Sequence, residues 1–371
     1  MSGRPVPAAL LLAVSTAPPV LPRGLVTQLA ESMVLAGLGW WAGRAWRGAP
    51  PGPVLVVATA AWVAVTLGGQ DAHRVALGMP PVGWVPMVVA ATVIVLVAGR
   101  GGRGRRVVTA GGVVLALAVT AAVVPAGASP PSRPSPPAEV VTPAVRPVHV
   151  AAGLGPGTPA GRADAAVRAL AAFGGLARRT LVVVVPTGSG WVDPASLASL
   201  EAATGGDVAT VALAYDDAPS WVSYLTARDE AVATTGALLA AVARARPPGS
   251  RVLLHGESLG ALAGAQAWAR HPDQADGAFW VGPPADTPTA PVAADGPVEV
   301  LAHPTDPAAI WSPRLLVAPP DRPVPVPWLP VVSFVQTSVD LLGAVGAPAG
   351  VGHHYGAEQQ PGWARLLAAT G

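Results

Sequence analysis

The sequence predicts a chain of two parts, an α-helical transmembrane domain followed by a three-layer α/β domain. Three observations predict this fold class: long apolar runs fill the first 128 residues, strand-length and helix-length segments alternate from Val148 onward, and the charge is divided between the parts. Residues 1–146 carry 11 arginines against three acidic residues, whereas residues 147–371 carry 12 arginines against 18. A basic membrane-facing part and an acidic globular part account for this division, and nothing in it indicates nucleic-acid binding.

Most of the apolar runs approach the ~20 residues that a membrane-spanning helix needs. They lie at 6–20, 25–46, 52–69, 83–97 and 107–127, and Pro18-Pro19 interrupts the first, so four or five spans are predicted. Seven arginines fall on one predicted side of the membrane and two on the other. The positive-inside rule then predicts a multi-pass protein of the cytoplasmic membrane, with its N-terminus inside and the C-terminal domain outside.

A proline-rich segment separates the two parts. Residues 125–147 contain eight prolines, a composition that favours extended polyproline II and cannot pack a core. We therefore predict a transmembrane domain over 1–128, a linker over 129–147 and an α/β domain over 148–371.

The segments after the linker alternate between short apolar runs and helical patterns. The apolar runs are rich in valine and almost continuous, as buried parallel strands are. Strands are predicted at 148–152, 181–185, 208–214, 252–254, 278–281, 298–302 and 331–335, and helices at 162–178, 229–246, 259–270 and 362–369. Ligands of such folds bind beyond the carboxyl ends of the strands.

The stretch Gly256-Glu257-Ser258-Leu259-Gly260 matches G-x-S-x-G and falls between a predicted strand and a predicted helix. This is the context of a nucleophilic serine, which needs a base that is oriented by an acid. Asp306 follows the strand at 298–302, and His353 lies in a glycine-rich loop before the last helix. The order serine, acid, histidine is that of a catalytic triad.

Each member of the predicted triad has an alternative. Asp306 precedes a proline and could instead cap a helix, with Asp340 and Asp286 as weaker candidates for the acid. His354 is the alternative base, because adjacent histidines in a loop cannot both face Ser258. Ser258 itself could be a turn serine without chemistry.

The glycine-rich loop at Gly188, Ser189 and Gly190 follows a predicted strand, and its backbone N–H groups could bind an oxyanion together with the N–H of Leu259. No metal or organic cofactor is expected. The chain has no cysteine, and the two adjacent histidines have no third ligand at a metal-site spacing.

Several motifs together resemble a known family, namely "PTGSGWVDP" (186–194), "PSW" (219–221), "GESLG" (256–260), "GPP" (282–284), "TDPAAIWSP" (305–313), "HHY" (353–355) and, near the N-terminus, "STAPPVLPRG" (15–24). The chain is similar to bacterial α/β-hydrolases of high-GC Gram-positive organisms that carry an N-terminal multi-span membrane domain. The resemblance implies an α/β-hydrolase fold with Ser258, Asp306 and His353 in the triad positions. Relatives have G-H-G-H-x-Y where this chain has Val351 in place of the first histidine, and His353 aligns with the second.

The expected function is that of a membrane-anchored serine hydrolase, similar to esterases and lipases, that acts on a lipidic or acylated ester outside the cytoplasmic membrane, with the bilayer as its other partner. Two alternatives remain: an acyltransferase that uses the same triad, and a catalytically inactive membrane scaffold. The sequence leaves the oligomeric state open.

Overall fold

The computed structural model describes residues 5–43, 53–83, 145–187, 190–288, 296–344 and 347–371. They form two compact units. The described residues of Met1–Ala138 and Pro313–Pro348 make a helical unit, and those of Glu139–Ser312 and Ala349–Gly371 make an α/β unit. The segment Pro313–Pro348 thus lies between Asp306 and His353 in the sequence but is grouped with the N-terminal helices.

The secondary-structure elements are named here in chain order. The helices are α1 (Pro5–Ser15), α2 (Leu25–Ala42), α3 (Pro53–Ala76), α4 (Pro159–Ala172), α5 (Pro194–Thr204), α6 (Ser220–Thr226), α7 (Arg228–Ala245), α8 (Leu259–Arg270), α9 (Val332–Asp340) and α10 (Gln359–Ala369). The strands are β1 (Val148–Ala152), β2 (Thr180–Val185), β3 (Val208–Leu213), β4 (Arg251–Glu257), β5 (Gly277–Val281) and β6 (Val298–Leu301).

A buried arginine holds the helical unit together. Arg23 donates from Nε to the Asp340 carboxylate of α9 at 2.8 Å and also forms an ion pair with Glu31 of α2. A second oxygen of Asp340 accepts the backbone N–H of Val20 at 2.9 Å. All three charged side chains are buried, so Arg23 compensates two carboxylates that would otherwise be costly to bury.

The transmembrane part of the predicted fold class is wrong for the helices seen here. Within the described residues, no helix combines the length and the apolar composition needed to cross a membrane. Helix α1 has only 11 residues, and α2 and α3 include the buried polar side chains of Gln28, Glu31, Gln70 and Arg74. The predicted span at 107–127, all but the first residue of the span at 83–97, and most of the linker at 129–147 lie outside the described residues.

The α/β unit is built on a six-stranded sheet in the order β1-β3-β2-β4-β5-β6, in which every pair of neighbours is parallel. Helices cover both faces: α4, α7 and α8 pack on one, and α5 and α10 on the other. The two apolar layers explain why β2 and β3 are buried at every position and read as continuous valine-rich runs. The predicted three-layer α/β fold is confirmed.

Local elements differ from the prediction in several places: α4 ends earlier than the helix predicted at 162–178, and α6 was not predicted. The run at 331–335, predicted as a strand, is the beginning of α9, because a short apolar run has no periodicity that separates a buried strand from a helix. Helix α5 was not predicted, although Asp193 accepts the N–H of Ala195 and Pro194 occupies the first turn. That Asp-Pro pair is a helix-start signal in the sequence.

The parallel strands place their carboxyl ends at one edge of the sheet. Strand β2 ends at Val185, β4 at Glu257 and β6 at Leu301, and the loops that follow these strands carry the polar motifs. The candidate site lies at this edge, where ligands of open α/β sheets bind.

Candidate active site

Ser258 occupies a strained turn between β4 and α8. Its φ of 54° and ψ of −123° lie in a region that side-chain-bearing residues rarely adopt, and only one other non-glycine residue in the described ranges has a positive φ. The backbone is held from both sides: Ser258 N–H donates to Val281 O of β5 at 3.0 Å, and Ser258 O accepts the N–H of Ala261. Strain of this kind costs about 1–3 kcal/mol and is typical of functional positions.

The glycines on either side of Ser258 are required by close packing of backbone against backbone. A Cβ on Gly256 would lie 2.4 Å from the carbonyl carbon of Gly260, and a Cβ on Gly260 would lie 2.1 Å from Val185 O of β2. The G-x-S-x-G pattern therefore allows the start of α8 to approach the sheet closely enough to form the turn.

Gly260→Ala should destabilise the α/β unit by about 2–3 kcal/mol, because the new methyl group meets a backbone carbonyl that cannot move without distorting β2. Thermal unfolding would measure the loss. Gly236→Ala is the matched control, since Gly236 is a helical glycine of α7 with open space around it, and alanine there should stabilise by up to about 1 kcal/mol. Equal stability of the two variants would contradict the close approach.

The structure brings Asp306 and His353 together. His353 Nδ1 lies 2.8 Å from Asp306 Oδ2, and the Asp306 side chain is fully buried. Because a carboxylate accepts, Nδ1 carries the proton and Nε2 is left as the basic nitrogen. Burial, the largest influence, lowers the pKa of His353, but the Asp306 carboxylate and, more weakly, Glu257 raise it, and the pKa of His353 lies above its usual value.

Asp306 also caps the turn that follows it. Its Oδ1 accepts the backbone N–H of Ala308 at 2.8 Å, while Oδ2 faces His353. The two sequence interpretations of Asp306, helix cap and partner of the histidine, therefore describe different oxygens of one carboxylate. The weaker candidates for the acid have other partners: Asp340 bonds Arg23, and Asp286 bonds Arg228 and Tyr224.

His353 also lies against the backbone beside Ser258. A Cβ on Gly282 would lie 2.8 Å from His353 Cε1, and Gly282 directly follows Val281, whose carbonyl accepts the Ser258 N–H. Ser258 and the imidazole thus lie against two consecutive residues, Val281 at the end of β5 and Gly282 after it. His354, the alternative base, is exposed, and its backbone N–H donates to Val351 O.

Two residues that the sequence analysis did not assign to the site hold the acid and the histidine loop. Tyr355 OH donates to Asp306 Oδ2 at 2.6 Å and accepts the backbone N–H of His303 at 3.2 Å. The His303 ring stacks on Tyr355 with centroids 4.1 Å apart, and its Nδ1 bonds Gly352 O at 2.9 Å. Burial, then the Asp306 carboxylate, raises the pKa of Tyr355, which keeps the hydroxyl protonated as a donor.

Tyr355→Phe removes one hydrogen bond to a buried carboxylate, so we expect the free energy of unfolding to fall by about 1–3 kcal/mol. Thermal unfolding would measure the loss. Tyr224→Phe serves as the control, because Tyr224 donates to the exposed Asp286, away from Asp306, and its loss should cost less than about 1 kcal/mol. A Tyr355→Phe protein as stable as the wild type would show that the hydroxyl does not hold Asp306.

The predicted oxyanion-binding groups are described only in part. Leu259 is the first residue of α8, so its N–H has no acceptor within the helix. Gly190 has a φ of 85°, and Gly188 and Ser189 lie outside the described residues. In the ranges described here, no cluster of three histidine, aspartate or glutamate side chains could hold a metal ion.

A parallel three-layer fold with a strained serine after a central strand, and with an acid–histidine pair at the same edge, defines the class of α/β-hydrolase-like proteins. The family model described as the α/β-hydrolase family matches residues 148–296 and 294–371, and the chain belongs to this family. Its members are generally hydrolytic enzymes, so the assignment indicates a hydrolase-like function. No curated protein and no solved structure matches the chain. The family match begins at residue 148 and does not bear on the resemblance to bacterial members with a membrane domain.

Proposed function

We propose that the protein is a serine hydrolase that cleaves carboxylic esters with Ser258 as nucleophile, His353 as general base and Asp306 as the acid that orients the base. The strained backbone of Ser258, at the same edge of the sheet as a histidine bonded to a buried carboxylate, is the observation that carries the proposal. A serine hydroxyl is a weak nucleophile at neutral pH, and this arrangement supplies the base it needs.

In the proposed reaction, His353 carries every proton. Ser258 Oγ attacks the ester carbonyl while His353 Nε2 takes the hydroxyl proton, and the resulting oxyanion accepts a hydrogen bond from Leu259 N–H. The imidazolium then gives its proton to the leaving alcohol, and the acyl group stays on Ser258. Water, deprotonated by His353, attacks the acyl-enzyme and releases the acid, and the serine regains its proton. Asp306 stays ionised throughout.

An apolar acyl group is the proposed substrate feature, in keeping with a lipidic or acylated ester. Trp191 follows β2, and Trp221 and Leu225 belong to α6 after β3, so all three lie on connections from the carboxyl ends of the strands. Each has more than half of its surface exposed, so an apolar acyl chain can reach it. The proposed chemistry does not depend on a membrane location, which stays a prediction from the sequence.

We expect octanoyl esters to react with a higher kcat/KM than acetyl esters, because a longer chain buries more apolar surface. Trp221→Ser should reduce this preference by about tenfold, whereas Phe173→Ser, at an equally exposed position after α4, should not. Hydrolysis rates across a series of 4-nitrophenyl esters would measure both. If Trp221→Ser keeps the wild-type preference for octanoyl esters, Trp221 does not contact the acyl group.

A fluorophosphonate probe tests the nucleophile directly. The full chain should be labelled, and Ser258→Ala should take no label, because the probe reacts only with an activated serine. His353→Ala should also lose labelling, while His354→Ala should keep it. Folded wild-type protein without label would contradict the proposal and favour the inactive scaffold. Analysis of products with glycerol present would separate hydrolysis from acyl transfer.

A further inference from the structure

Glu257 is a second acidic residue directly beside the proposed nucleophile. It is the last residue of β4, and the alternation of side chains along a strand places it on the same face as Leu253 and His255. That face packs against α5 and α10: Leu253 belongs to their apolar layer, and His255 bonds Ser196 of α5 at 2.6 Å. Glu257 is therefore half-buried at the edge of this layer, and its backbone pairs with Val281, next to the Gly282 against which the His353 ring lies.

Several polar groups of this layer are incompletely paired. In the described part of the chain, no hydrogen bond is made to the Glu257 carboxyl group. Asp193 accepts from Ala195 N–H and from Gln359 Nε2, and it caps α5. Gln359 Oε1 and Trp363 Nε1, both from α10, are fully buried and have no partner among the described residues. Among the described residues, no hydrogen-bond donor therefore stabilises the charged form of the Glu257 carboxyl group.

The charges that face Glu257 come from several elements. The titratable groups near it are His255 of β4, Asp193 before α5, Asp306 after β6, and His353 and Tyr355 before α10. Burial, followed by the repulsion of Asp193 and Asp306, raises the pKa of Glu257 to about 7, and His353 acts in the opposite direction. His255 is neutral near pH 7, because burial lowers its pKa to about 4.

We propose that Glu257 is a positioning residue that acts through His353: its ionised carboxylate stabilises the imidazolium that forms while Ser258 attacks, and its protonated form withdraws that stabilisation. The inference rests on the proposed function. Because the imidazolium exists only along the reaction path, the carboxylate favours the transition state over the resting enzyme. Glu257, at the first variable position of G-x-S-x-G, thus couples the rate of attack by Ser258 to the pH.

The test compares labelling rates of the full chain with the fluorophosphonate probe from pH 5 to pH 8.5. Glu257→Gln should react about tenfold more slowly than wild type at pH 8, and the ratio should fall toward one at pH 5, because the wild-type carboxyl is then protonated as well. The midpoint of the acid limb should move down by about one pH unit in the variant. A purely structural role would give a ratio that does not change with pH.

Two further variants complete the test. Glu299→Gln is the matched control, because Glu299 lies on β6 and pairs with Arg365. The labelling rate of this variant should equal that of the wild type at every pH. Asp193→Asn keeps a good helix cap but removes a charge that disfavours ionisation of Glu257, so its acid limb should move to lower pH. This variant keeps the inference testable if Glu257→Gln does not fold.

The outcomes separate the two proposals. A wild-type protein that takes no label at any pH overturns the serine-hydrolase function and this inference with it. A second outcome is that Ser258→Ala loses labelling, while the ratio of the wild-type labelling rate to that of Glu257→Gln is the same at every pH. This result overturns the role of Glu257 alone. If the acid limb of Asp193→Asn has the same midpoint pH as that of the wild type, the role of Glu257 is likewise overturned.

Discussion

Ser258→Gly should abolish ester hydrolysis and at the same time make the α/β unit more stable. Loss of the nucleophile is expected to lower kcat by about 10⁵-fold or more. Glycine adopts a positive φ without steric cost, so the strain at φ 54° is released, and the free energy of unfolding should rise by about 1 kcal/mol. Calorimetric unfolding and probe labelling of the same preparation would measure the two effects.

Ser258→Ala is the control that separates the two effects. Alanine also lacks the hydroxyl, so activity should fall equally, but its Cβ keeps the strained backbone and no gain in stability is expected. Equal unfolding temperatures for the glycine and alanine variants would show that the turn stores no strain.

Asp306→Asn should lower kcat by about 10⁴-fold and leave the fold intact. The amide keeps an oxygen to cap Ala308 N–H, but it no longer provides the charge that holds the Nδ1–H tautomer of His353 and stabilises the imidazolium. Steady-state kinetics and the circular dichroism of the purified variant would check activity and fold together.

The matched control is Asp286→Asn, the sequence's weaker candidate for the acid. Asp286 accepts from Tyr224 and Arg228, and its removal should change kcat less than twofold. A large loss in Asp286→Asn together with a mild one in Asp306→Asn would reverse the assignment of the acid.

The parts of the fold that could be predicted are those with a local signal. Strands β1 to β6 are apolar runs bounded by turn residues, and the position of Ser258 follows from the sequence on either side of it. The pairing of Asp306 with His353 was expected from chain order, and the structure brings the two side chains together across 47 residues. Their catalytic roles remain a proposal.

The predicted membrane spans are wrong for α1 to α3, because an apolar run alone does not establish a helix that can cross a membrane. Helices α1 to α3 are apolar, but Gln28, Glu31 and Arg74 are isolated polar residues whose partners lie outside their own helices. Arg23, one of the two arginines on the less basic side of the predicted spans, is instead the buried partner of Asp340. No periodicity in the sequence reports such a partnership.

The residues that surround the acid were missed for a related reason. Tyr355 and His303 lie in loops without regular spacing, and they meet only because β6 and the loop before α10 end at the same edge of the sheet. Glu257 is the variable position of its motif, and its importance depends on burial beside Asp193 and His353, which the sequence does not show.

The grouping of Pro313–Pro348 with the N-terminal helices has a consequence for biosynthesis. Arg23 and Asp340 are 317 residues apart in the chain. At about 5–20 residues per second, a ribosome needs roughly 15–60 s to travel from one to the other. During that interval Arg23 has no Asp340 to bond, and the helical unit cannot reach its final packing. The first segment to be synthesised is therefore among the last to be completed, and a chaperone or another temporary partner has time to bind it.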